Sequence, residues 1–253
     1  MTYGSEELMI SVIVRLLDDP AVKHVAVGAA SPIPGSAALL ACHLTEGRLR
    51  ASIIHGIANN PFTDGGREIF DCAGQGRVDA FFLGGVEIDG EANVNLVGTG
   101  DYPQVDKRFP GSFGSAYMYF VVPKVILFRP EHTRRVFVPK VDFISAPGTS
   151  EPSVYRPGGP KALVTELCLM SFDAAKKRFR LESVHPGHSL EEVRDNTGFD
   201  FDIPDTVPTT PEPDPAWLAL LRTRIGQQIA EIYPDFVERV FGDTSSQSQE
   251  SAA

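Results

Sequence analysis

The chain has 253 residues, 42% of them hydrophobic and 22% charged, with a formal net charge of −10. Residues 1–240 are expected to form one globular domain with a sizeable core, since α/β folds reach this size undivided. The acidic balance excludes nucleic acid as a partner: binding a polyanion takes clusters of Lys and Arg, and pairs such as Arg134 and Arg135 are too sparse.

The opening stretch, MTYGSEELMISVIVRLLDD, has acids where a secretory signal needs basic residues, and its apolar residues are too interrupted to span a bilayer. A cytoplasmic protein with no membrane contact is expected. Leu8, Met9, Val12, Ile13, Leu16 and Leu17 recur at helical spacing behind Ser5 as cap, with Glu6 and Glu7 in the first turn, and predict a half-buried helix ending near Asp19 and Pro20. HVAVGAA (24–30) reads as a strand, SAALLACHL (36–44) as a helix and LRASIIHG (49–56) as a second strand. The stretch SIIHGIANNPFTDGG begins inside that strand and breaks at His55 and Gly56 into a polar loop.

VDAFFLGG (78–85) is a continuous apolar run, the pattern of a strand covered on both faces. YMYFVV, KVILF and RRVFVPKVDFISA, between 117 and 146, read as further strands; ALVTELCLMSF with KRFRLESV reads as a hairpin turning at 173–177. Ser189 and Glu192 make a capping box for a short helix that Gly198 closes. Pro204, Pro208, Pro211, Pro213 and Pro215 mark 203–215 as a linker. Trp217, Leu220, Leu221, Ile225, Ile229 and Ile232 then draw one stripe on a final helix, and 241–253 reads as a disordered tail. Strands separated by helices, followed by consecutive strands, predict an α/β fold with an open, mostly parallel sheet and flanking helices.

Cys42, Cys72 and Cys168 lie far apart among apolar neighbours, which suits reduced core thiols. No Cys or His spacing fits a metal site, no G-x-G-x-x-G or G-x-x-x-x-G-K is present, and PGSFG (110–114) departs from a G-x-S-x-G elbow at its last spacer. In open α/β sheets ligands bind beyond the carboxyl ends of the strands, which directs attention to 28–34, 55–61 and 84–95. These loops are rich in Gly, which lets backbone N–H groups approach a ligand, and in Asn, which supplies donor and acceptor without charge. For Asn93 and Asn95 the competing reading is hairpin turn residues.

GRVDAFFLGGVEIDGEANVNLVGTG (76–100), RFPGSFGSA (108–116) and ESVHPGHSLEEVRDNTGFDF (182–201), in that order, resemble the β-subunit of the family I CoA-transferases, of which glutaconate CoA-transferase is a representative. The resemblance covers about residues 5–205 and implies an α-subunit partner of similar fold, in a heterodimer or α2β2 assembly. It also implies an acyl-CoA substrate at the subunit interface, coenzyme A entering as part of the substrate with no separate cofactor. In that family the second strand ends in a Glu whose carboxylate carries CoA as a glutamyl thioester. Aligning the family Gly with Gly56 puts Ile54 at that position, and an isoleucine cannot be acylated. Glu46 and Asp64, the nearest acids, sit on the wrong sides to substitute. Glu87 replaces a frequent Gln, Ala92 a Gly, and Phe113 interrupts the Gly111 to Gly114 loop.

A branch of the family in steroid-degrading actinobacteria lacks the same Glu, and this sequence is most similar to its β-subunit, which with an α-subunit opens the last steroid ring as a CoA thioester by hydrolysis. The resemblance then implies a pocket made by Ile54, His55, Gly56, Asn59, Asn93, Asn95, Gly111, Ser112, Phe113 and Gly114, with the main acid/base carboxylate on the α-subunit. His55 is the candidate base or donor, because an imidazole titrates near neutrality; its competing reading is a structural strand-end His. Two other functions stay open: a true CoA-transferase with a displaced carboxylate, and a non-catalytic scaffold subunit.

Overall fold

The structure, a computed structural model, describes residues 2–242. In chain order the elements are α1 (Ser5–Leu17), β1 (His24–Val27), α2 (Pro32–Leu44), β2 (Arg50–Ile53), α3 (Gly65–Gly74), β3 (Ala80–Leu83), β4 (Glu87–Ile88), β5 (Val94–Asn95), β6 (Gly98–Thr99) and β7 (Lys107–Arg108). They continue with α4 (Ser115–Val121), β8 (Lys124–Phe128), β9 (Pro160–Val164), β10 (Cys168–Asp173), β11 (Arg178–Val184), α5 (Leu190–Asn196), α6 (Pro215–Leu220), α7 (Gly226–Ala230) and α8 (Pro234–Phe241). The chain forms two compact units, one of residues 2–65 with 212–242 and one of residues 66–211.

In the first unit β1 and β2 run parallel, His24 opposite Arg50 and Val27 opposite Ile53. Helix α1 is buried on almost every side rather than half-buried: Ile10, Ser11 and Val14 join the predicted stripe in the core, as befits a helix apolar nearly all round. Its cap is Gly4, one residue before the expected Ser5, and the Gly4 N–H donates to the Glu7 carboxylate at 2.9 Å. Glu7, only 2% exposed, is held by the Arg222 guanidinium, Nε to Oε1 at 2.7 Å and a second N–H to Oε2 at 2.8 Å. That two-pronged pair, which raises the Arg222 pKa, anchors the later helices of the unit on α1. Helix α2 begins at Pro32, four residues before the predicted start, because proline at the first helical positions needs no N–H partner. The predicted final helix is α6 and α7 joined through a five-residue π turn, Leu221–Ile225, with Leu218, Leu221, Ile225 and Ile229 buried. Helix α8 follows and buries Phe241, where the tail was expected; 243–253 lie outside the described residues.

In the second unit the strand order is β11-β10-β9-β8-β3. Within this sheet, among the described residues, the pairs β3–β8 and β8–β9 are parallel and antiparallel pairing enters with β10 and β11; β4–β5 and β6–β7 form two small antiparallel pairs apart from it. Together with the parallel β1–β2 pair this is the mostly parallel α/β arrangement read from the sequence. The predicted hairpin turn is in place, Asp173 pairing with Arg178, although Ala162, Leu163 and Val164 belong to the separate strand β9. Two readings are corrected. YMYFV lies in helix α4, not a strand: Met118 and Tyr119 are its buried side, and Val122 is its extended cap. The stretch 134–146 carries no strand beyond single bridges at Phe137 and Ala146, because Pro139 removes a ladder donor. Helix α3, absent from the sequence reading, buries Ile69, Cys72 and Ala73. Ser189 caps α5 as expected, accepting the Glu192 N–H at 3.1 Å, but the helix ends through an extended Thr197 rather than a left-handed Gly198.

Among the described residues no helix is long and apolar enough to cross a membrane. The three cysteines are free, and burial pushes the thiols of Cys42 and Cys168 up to about 12, far from reactivity.

Candidate functional site

The candidate residues divide between the two units. In the first, β2 stops at Ile53, and the Ile54 N–H still donates to the Val27 carbonyl at 3.1 Å, so the chain leaves the sheet one residue before His55. The Gly56 N–H returns to the Ile53 carbonyl at 3.1 Å, closing a four-residue turn with His55 at its third position. His55 has φ +72, a left-handed value that this turn position normally assigns to Gly or Asn. The backbone carries that strain and holds the imidazole exposed, with no hydrogen-bond partner among the described residues. Gly56 is buried; a Cβ there would come to 3.2 Å from both the Ile53 carbonyl oxygen and the Ile232 side chain. The loop comes back at Asn59, whose carbonyl accepts the Ile53 N–H at 2.8 Å.

Asn59 itself lines a cleft of about 450 Å³ with Cys42, His43, Arg50, Arg224 and Gln228. Glu46 lines the same cleft, four residues before β2 begins and away from the strand's carboxyl end. Ile54 is half-buried and brings no ionisable group to the exit.

In the second unit β4 and β5 pair with Glu87 opposite Asn95. The Asn95 amide is 0% exposed and wholly engaged: its N–H groups reach the Glu87 carboxylate (2.7 Å) and the Gly98 carbonyl (2.8 Å), and its oxygen accepts the N–H of Val97 (2.9 Å) and Gly98 (3.3 Å). Asn93 donates to Asp89 at 3.1 Å and accepts the Gly148 N–H at 3.1 Å. These contacts match the hairpin-residue reading of Asn93 and Asn95. They also reveal two buried carboxylates, Glu87 and Asp89, that the sequence reading left without a role. A signal was present: a hairpin centred on Glu91 sets 87 against 95 and 89 against 93, acid against amide each time.

One residue beyond Asn95, the Leu96 carbonyl accepts the Gly111 N–H at 3.0 Å, so the structure brings the hairpin and the 111–114 loop together. Gly111 has φ +93, and a Cβ on Gly114 would fall 1.8 Å from the Phe70 ring, a space only glycine leaves open. Phe113 is 85% exposed, its ring centred 5.8 Å from that of Phe70, and Ser112 gives its carbonyl to the Ser115 N–H at 2.6 Å at the start of α4.

Residues 7–196 match the family described as Coenzyme A transferase, and the chain belongs to that family. It is 35% identical to the glutaconate CoA-transferase β-subunit of Acidaminococcus fermentans over 160 residues, 60% of this chain and 59% of that protein. It is 30% identical to the Cholesterol ring-cleaving hydrolase IpdB subunit of Rhodococcus jostii over 160 residues, 62% of each. These matches span about three fifths of the length of the relatives. The fold is that of the Rhodococcus jostii RHA1 IpdAB crystal structure, with a TM-score of 0.77 and 25% identity over 88% of this chain and 94% of that one. The family read from the blocks between 76 and 201 is the one these comparisons return.

Proposed function

We propose that this chain is the β-subunit of a heteromeric hydrolase that opens a ring of a CoA thioester by breaking a carbon–carbon bond, with ring-derived steroid acids as the substrate class. The observation that carries the reading is the exit of β2. By the resemblance, Ile54 falls where the transferases of the family place their nucleophilic Glu, and the next residue, His55, presents from a left-handed turn an imidazole with no hydrogen-bond partner among the described residues. The likeness to the IpdB subunit supports the same chemistry. In the reaction, water adds to a ring ketone and surrenders its proton to a base. The adduct collapses to a carboxylate by expelling the adjacent carbon, whose electron pair spreads into the thioester and is then protonated. His55 takes the water's proton or steadies the developing oxyanion; the principal acid/base carboxylate belongs to an α-subunit partner in an α2β2 assembly. Coenzyme A arrives on the substrate, and no other cofactor is called for.

One observation favours a second reading. The Glu231 carboxylate reaches the loop behind His55, accepting the Ile57 N–H, and would be the displaced carboxylate of a true CoA-transferase. Trapping during turnover separates the two. Hydroxylamine or borohydride added to the complex of this chain and its partner, turning over an acyl-CoA, is expected to leave every Glu of this chain unmodified while a ring-opened CoA thioester accumulates. A hydroxamate or alcohol at a Glu of this chain would establish the transferase instead.

A further inference from the structure

The turn between α7 and α8 holds both strand exits of the first unit, and three consecutive residues do it. The Glu231 carboxylate accepts the Ile57 N–H, two residues after His55. The Ile232 side chain lies against the backbone of Gly56, where an added Cβ would stand 3.2 Å from its terminal methyl. The Tyr233 hydroxyl accepts the Ser31 N–H at 3.1 Å, in the loop that leaves β1. The turn is itself fixed, because the N–H groups of Ile232 and Tyr233 both donate to the Ile229 carbonyl, at 3.0 and 2.8 Å, and Ile229 is fully buried.

A four-residue turn carrying a left-handed His is held by its surroundings or not at all, since the strain of such a residue, about 1–3 kcal/mol, favours relaxation to an ordinary backbone. Within the loop the Ile53 carbonyl and the Asn59 return brace it. The two amides that the clasp satisfies, of Ile57 and Ser31, are donors in irregular backbone, where no ladder supplies an acceptor. All three clasp residues lie beyond 196, outside the stretch that matches the family.

We propose that Glu231 and Tyr233 are positioning residues: they set the geometry of the β2 and β1 exits and so aim His55. This rests on the reading of the β2 exit as the reacting site, but its central measurement does not. Amide hydrogen exchange on the complex of this chain with its partner is expected to show residues 54–60 losing protection in Glu231→Ala, and residues 28–34 losing it in Tyr233→Phe, while the rest of the first unit keeps its protection and the melting temperature moves by no more than about 2 °C, the size of a surface substitution. Turnover of the acyl-CoA in Glu231→Ala is expected to fall by about 10- to 100-fold, with a smaller change in KM, as for a misaimed group. Glu231→Gln keeps an oxygen for the Ile57 N–H and is expected to restore turnover to within about threefold.

Unchanged exchange at 54–60 in Glu231→Ala would overturn the clasp. So would a Glu231→Gln complex as inactive as Glu231→Ala yet normally protected, because that result makes the carboxylate a reacting group. If exchange behaves as expected but His55→Ala turns over normally, the clasp stands and the role given to His55 fails.

Discussion

His55→Ala is expected to lower turnover of the assembled enzyme by about 10²- to 10⁴-fold, the range for losing one positioned proton-transfer group. Its effect on stability is small for a specific reason: alanine keeps a Cβ, so the strain at φ +72 persists, and an exposed imidazole without a partner among the described residues leaves no cavity and no orphaned donor behind. His55→Gly is the sharper test. Glycine adopts a left-handed backbone without strain, so this variant is expected to be more stable than wild type by about 1 kcal/mol, a rise of about 2–4 °C in melting temperature for a chain of this size, while losing the same activity. Stability gained where function is lost is the signature of strain kept for use. His55→Gln divides the remaining roles, because glutamine donates a hydrogen bond but accepts no proton: retained activity points to oxyanion duty, lost activity to base duty. Normal rates in all three variants would remove His55 from the chemistry.

The second large effect concerns acid. In the second unit His132 and His185 are 2% and 1% exposed, and burial takes both imidazoles down to about 4, each further lowered by a neighbouring histidine. Their hydrogen bonds suit the neutral form. His185 Nε2–H donates to the Thr165 carbonyl at 3.0 Å, so its Nδ1 accepts from Thr210 at 2.8 Å; His132 is held between Thr165 (2.8 Å) and Thr197 (2.9 Å). At His185 a carbonyl that takes one N–H and a hydroxyl that donates to the other nitrogen match the one donor and one acceptor of a neutral imidazole.

The folded pKa lies below the unfolded value near 6.5, so the unfolded chain takes up protons first as pH falls. The contribution of these two groups is whole above about pH 6.5 and is lost progressively down to about pH 4. At full expression the gap amounts to about 3 kcal/mol per imidazole, which together is a large part of the stability of an ordinary domain. Thermal unfolding between pH 4 and pH 8 is expected to show a steep loss below pH 6, and His132→Gln, which has nothing to protonate, is expected to reduce that slope by about half although it starts less stable. An equal slope in the variant would assign the acid sensitivity to other groups.

The sequence carried the family through motif blocks whose order survives divergence, and it carried β1, β2, β3, β8 and the β10–β11 hairpin through apolar runs between turn residues. It misled where a run was short. YMYFVV has no polar residue to reveal a period, so strand and helix were indistinguishable, and α4 became visible only through which residues are buried. Ile69, Cys72 and Ala73 did have helical spacing, but glycines at both ends of α3 hid it. Of the site, the exit at His55 and Gly56 was legible because a strand must end where its apolar run does. The Glu87–Asn95 and Asp89–Asn93 pairs needed the hairpin register. The Glu231 and Tyr233 contacts join residues 174 and 202 positions apart through single polar groups, for which sequence spacing has no counterpart.

The first unit is assembled from two separated stretches of chain, and this bears on how the protein comes into being. A ribosome delivers the stretch up to residue 65, then the whole of 66–211, and only afterwards the stretch that begins at residue 212. The middle unit is contiguous, whereas α1 waits with Glu7 and no Arg222 to meet it. During that interval a carboxylate destined for burial stays solvated and the unit cannot close, since a buried charge without its partner is costly. A nascent chain halted before residue 231 therefore lacks the carboxylate that receives the Ile57 N–H, and its His55 loop is without that hold.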